Sequence, residues 1–64
     1  MAATDFILDR VKELTGAEDA RIESWLTPNV VRVKVSHADG PDAYTFRDHF
    51  VAVNEDGPRI IGSH

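Results

Sequence analysis

Val31, Val33 and Val35 alternate with Arg32, Lys34 and Ser36 along the run Val30 to His37. Successive side chains of a strand point to opposite sides of a sheet, so this alternation predicts a strand with one apolar and one polar side. A single strand cannot bury its apolar side, and the chain must supply neighbouring strands and a layer to cover them.

The covering layer is predicted at the N-terminus. Between Thr4 and Thr15, Ile7, Leu8, Val11 and Leu14 recur at three- and four-residue intervals, with Asp9, Arg10, Lys12 and Glu13 between them. That is the stripe of an amphipathic helix. Thr4 is a suitable N-cap, Asp5 suits the helix dipole, and Gly16 stands where a left-handed C-terminal residue is expected.

Residues 17–26 admit two readings. Thr15-Gly16-Ala17-Glu18 could cap a second helix with Ile22, Trp25 and Leu26 as its apolar face, giving two helices and then three strands. The strand reading uses Thr27-Pro28-Asn29-Val30 as a tight turn. It sets Leu26 opposite Val31, Ser24 opposite Val33 and Ile22 opposite Val35, with Trp25 facing Arg32 and Glu23 facing Lys34. Apolar residues then meet on one side, and a cation–π contact and an ion pair form on the other. The strand reading is preferred for this consistency.

The segment Ala38-Asp39-Gly40-Pro41-Asp42 predicts a turn, Ala43 to Asn54 a long third strand, and Asn54-Glu55-Asp56-Gly57 a last turn into a short strand Arg59-Ile60-Ile61. Pairing His37 with Tyr44 sets Val35 against Phe46, Val33 against Asp48 and Val31 against Phe50. A slip of one residue would present Thr45, Arg47 and His49 to the valines, so the aromatic register is expected. It aims Asp48 at the core, which a β-bulge near Arg47-Asp48 would relieve. The expected fold class is α+β: an N-terminal amphipathic helix packed on one face of a four-stranded antiparallel β-meander, one domain over residues 1–64.

This arrangement sorts the side chains. Ile22, Leu26, Val31, Val33, Val35, Tyr44, Phe46, Phe50, Ala52 and Ile60 form the expected core. The other face would carry Trp25, Arg32, Lys34, Arg47 and His49 beside Val51, Val53 and Ile61, with no element left to cover it. A basic–aromatic patch of this kind marks an interaction surface, and those five residues are the candidate binding site.

Size bears on the partner. A chain of 64 residues buries only about 60% of its unfolded surface. With no cysteine it has no disulfide or thiolate metal site to help, so self-association or a protein partner is expected. Eleven acidic residues against seven basic give a net charge of −4, which disfavours nucleic-acid and membrane-surface binding. The first residues lack the pattern of a signal peptide and no apolar run approaches the roughly 20 residues of a membrane span, so a cytoplasmic location is expected.

Catalytic and cofactor patterns are not evident. His37, His49 and His64 lack metal-site spacing, and neighbours such as Asp48 and His49 point to opposite faces of a strand. No metal or cofactor is expected. The four glycines are isolated, and none of the serines lies in a nucleophile elbow. An acid–base site could still combine Asp48 with Tyr44 or His37 in a pocket formed on dimerisation.

The stretch from Phe46 to Ile61, FRDHFVAVNEDGPRII, resembles the closing hairpin of nuclear-transport-factor-like and polyketide-cyclase-like domains. Those folds are longer and close their pocket with further helices, so no functional residue is carried over. The functional expectation is a small non-enzymatic binding or regulatory module acting through an open sheet face. A small-molecule or catalytic pocket around Asp48, and nucleic-acid binding through the basic face, are the alternatives.

Overall fold

The computed structural model describes residues 3–63, with Ala3 through its backbone alone. Met1, Ala2 and His64, which entered the readings above, lie outside the described residues. One helix, α1 (Ala3–Thr15), precedes four strands, β1 (Asp19–Thr27), β2 (Val30–Ala38), β3 (Tyr44–Asn54) and β4 (Gly57–Ser63). The strands form one antiparallel sheet in the order β1-β2-β3-β4. The expected α+β meander is therefore observed, and residues 17–26 supply a strand rather than a second helix.

The helix starts one residue before the expected N-cap, so Thr4 lies in its first turn. It ends at Gly16, whose φ of 72° lets its N–H return to the Lys12 carbonyl at 2.8 Å. The Thr15 hydroxyl reinforces this end, donating to the Val11 carbonyl at 2.7 Å and accepting from the Ala17 N–H at 3.3 Å. Ile7 and Val11 are buried against Val31, Val33, Val35 and Val51, with Leu8, Ala17, Ile22, Val53 and Ile60 packed around them. Full burial of each large aliphatic side chain contributes about 1.5–3 kcal/mol, so this small valine-rich cluster is the main source of stability. Leu14, the last member of the helical stripe, is exposed.

The β2–β3 register is the one-residue slip, not the aromatic register. Val31 pairs with Val51, Val33 with His49, Val35 with Arg47 and His37 with Thr45. No register shift interrupts this ladder, so no bulge turns Asp48 outward; the register itself does. The physical reason is the carboxylate. The aromatic register would bury Asp48 against Val33, and an unpaired buried charge costs several kcal/mol. The slip exchanges Tyr44, Phe46 and Phe50 for Val51 and Val53 under the helix. It keeps an unbroken apolar row of Val31, Val51 and Ile60 across three strands.

The β1–β2 pairing also differs. Ala20 pairs with Val35, Ile22 with Val33, Ser24 with Arg32 and Trp25 with Val31, with register shifts at Glu23 and Leu26. Each bulge inserts one residue and reverses the side-chain alternation. Ile22 thus keeps the core side with a new partner. Trp25 is turned to the helix side, away from Arg32, and the expected cation–π contact is not formed. Leu26 leaves the core and is 53% exposed. The turn explains the second bulge: no non-glycine residue among the described residues has a positive φ, so Pro28-Asn29 is not the turn type that matches strand twist.

The last hairpin is tight. The Asp56 N–H donates to Asn54 Oδ1 at 2.9 Å, and Gly57 takes a φ of 103°. The expected left-handed glycine is therefore present, while β4 is longer than Arg59–Ile61. An extra residue, Ile61, between the pairs Val51–Ile60 and Phe50–Gly62 leaves its side chain exposed.

Candidate interaction surface

The helix lies on one side of the sheet, termed inner, and the outer side has no covering element among the described residues. The register divides the five candidate residues between the two sides. Arg32 and Lys34 are outer; Trp25, Arg47 and His49 are inner. The expected contiguous basic–aromatic patch is thus corrected to two separate surfaces. Val51 and Val53, expected beside it, belong to the core cluster.

The outer surface is aromatic instead. Tyr44, Phe46 and Phe50 stand at alternate positions along β3, separated by Asp48. Tyr44 is 59% and Phe46 62% exposed, and Phe50 is half-buried. Phe46 walls shallow hollows of about 250, 430 and 240 Å³, shared with Arg21, Lys34, Ser36, Tyr44 and Asp48, and Arg47 also borders the smallest. Sequence reasoning placed these rings in the core. The signal that could have placed them outside was Asp48, which shares their side of the strand.

Three of the four cations on this side, Arg21, Arg32 and Lys34, are paired within the chain. Arg32 Nη2 lies 2.5 Å from Asp48 Oδ2, and this hydrogen bond and the charge of Asp48 raise the Arg32 pKa above its ordinary value. Glu23 Oε1 accepts from Arg21 Nε at 3.1 Å and lies 3.7 Å from Lys34 Nζ. The expected Glu23–Lys34 ion pair therefore forms despite the bulge. Four cations (Arg21, Arg32, Lys34, Arg59) face three carboxylates (Asp19, Glu23, Asp48), so the outer side is nearly neutral in a chain of net charge −4. Its cations are not a free basic field of the kind that nucleic acid requires.

The inner side has a polar corner beyond the end of α1. Thr15, His37, Thr45, Arg47 and His49 line a groove of about 470 Å³. Both ring nitrogens of His49 are closed off without a hydrogen-bond partner among the described residues. Leaving buried polar atoms unpaired costs about 1–3 kcal/mol each. Burial, followed by the charges of Arg47 and His37, lowers the His49 pKa, while Asp48 opposes the shift.

The acid–base grouping of Asp48, Tyr44 and His37 is not assembled within one chain. Asp48 and Tyr44 are outer and His37 is inner. No group of three His, Cys, Asp or Glu side chains among the described residues is placed to hold a metal ion. No helix among them is long and apolar enough to cross a membrane. No family model, curated protein or solved structure matches this chain.

Proposed function

We propose that this chain is a small non-enzymatic binding or regulatory module that acts through the outer side of its sheet, first by pairing with a second copy of itself. The observation that carries this reading is the exposed row of Tyr44 and Phe46, continued by half-buried Phe50, set among charges most of which are already paired within the chain. Aromatic side chains bring large apolar area to an interface, and paired charges need no counter-charge from a partner.

Electrostatics favours a second copy as the occupant. Two chains of net charge −4 repel one another over most orientations, but the nearly neutral outer side is an exception. A two-fold axis through this side brings one aromatic row onto the other, as a self-complementary contact requires. Three strands of nine to eleven residues with a fourth beside them present a side of roughly 30 by 15 Å. Such a contact lies at the low end of specific interfaces, so the dimer is weak and concentration-dependent. The absence of cysteine is compatible with action in the cytoplasm.

A dilution series followed by amide and aromatic NMR shifts tests this reading. Concentration-dependent shifts centred on Tyr44, Phe46, Phe50 and Arg32 are expected. Invariant spectra up to millimolar concentration, or shifts confined to the helix side, would overturn it.

A further inference from the structure

The groove on the inner side, lined by Thr15, His37, Thr45, Arg47 and His49, has chemistry that the outer-side reading does not use. We propose that this groove binds a phosphate group, free or as the monoester of a small molecule, with Arg47 as its fixed charge and His37 and His49 as hydrogen-bonding partners.

Arg10, Lys12, Arg21, Arg32 and Lys34 each have a carboxylate within ion-pair distance, whereas Arg47 and Arg59 have none among the described residues, and of these two only Arg47 lies beside imidazoles. In a chain with eleven carboxylates, an unpaired exposed guanidinium beside two imidazoles forms a local positive field. No carboxylate lines the groove. At its rim Asp39 accepts from the Thr45 hydroxyl at 3.5 Å. A guanidinium presents a fork that matches the oxygens of a phosphate.

An imidazole N–H donates to a phosphate oxygen and so supplements the fork of the guanidinium. His49 has no competing hydrogen bond, and a turn of its ring is needed to bring a nitrogen to the groove. The charged groups that act on it are His37 of β2 and Arg47 and Asp48 of β3, with α1 contributing the uncharged Thr15. Asp48 is held by Arg32 on the outer side.

The test is an NMR titration at pH 6 with inorganic phosphate and with glycerol 2-phosphate. Saturable shifts of the His37 and His49 rings and the Arg47 side chain are expected, with at least tenfold weaker binding in Arg47→Gln and tighter binding in Asp39→Asn. Tighter binding of the ester than of inorganic phosphate assigns the groove to a phosphorylated small molecule; equal affinity assigns it to free phosphate. Non-saturating shifts, or affinity unchanged in Arg47→Gln, would overturn the proposal. Should Arg47→Gln fail to fold, an Asp39→Asn variant that binds no more tightly than the parent does so as well. The groove and the outer aromatic row lie on opposite sides of the sheet, so this test stands apart from the dilution series.

Discussion

Arg32 on β2 reaches diagonally across the outer side of the sheet to Asp48 on β3, with Nη2 2.5 Å from Oδ2. The pair marks the side of β3 that faces away from the helix. Because side chains alternate, placing Asp48 outside also places Tyr44, Phe46 and Phe50 outside. One carboxylate thereby decides which apolar residues are buried and which are left for a partner.

That dependence is testable by removing the charge. Asp48→Leu abolishes the penalty against the aromatic register while leaving β3 free to pair in either. Cross-strand nuclear Overhauser contacts in this variant should include a second set linking Val33 with position 48, absent in the parent. A single set matching the parent would mean that Asp48 does not select the register.

Truncations should read out the register directly. Val51 is fully buried and Phe46 is 62% exposed. Val51→Ala removes two buried methyl groups and should cost about 1.5–2.5 kcal/mol from transfer and cavity terms. Phe46→Ser should change monomer stability by no more than about 0.5 kcal/mol. Urea unfolding at low protein concentration measures both; the opposite order would restore the aromatic core.

Much of this fold is legible from local patterns. The helix stripe of Ile7 and Val11, the valines of β2 and the turns at Pro28 and Gly57 each carry a local signal, and each has its place in the structure. The registers were not legible in the same way. β3 contains two apolar sets of opposite phase, Phe46 with Phe50 and Val51 with Val53, and hydrophobicity alone favours the larger rings. The cost of burying Asp48 reverses that preference. The bulges at Glu23 and Leu26 involve neither glycine nor proline, so nothing in their composition announces them. Because the candidate surface depends on register, Trp25, Arg47 and His49 lie on the helix side, and only Arg32 and Lys34 lie on the open side as expected.

His49 gives the protein a pH dependence of defined sign. Its folded pKa lies below the ordinary value of 6.5, chiefly through burial and then through Arg47 and His37. Above 6.5 the ring is neutral in both folded and unfolded chains. As pH falls below 6.5 the unfolded chain takes up the proton first, so stability declines until the folded pKa is passed. In phosphate-free buffer, the melting temperature should fall between pH 7 and the folded pKa, and His49→Phe should flatten that part of the profile. A parent profile that rises over this range would contradict the assignment.

The most direct test of the outer aromatic side as an association surface is sedimentation velocity on the parent and Phe46→Glu across a wide concentration range. The parent is expected to shift from monomer toward dimer as concentration rises. Phe46→Glu, with an unchanged helix signal by circular dichroism, should remain monomeric. A parent that stays monomeric at millimolar concentration, or a folded Phe46→Glu that dimerises as the parent does, would contradict it.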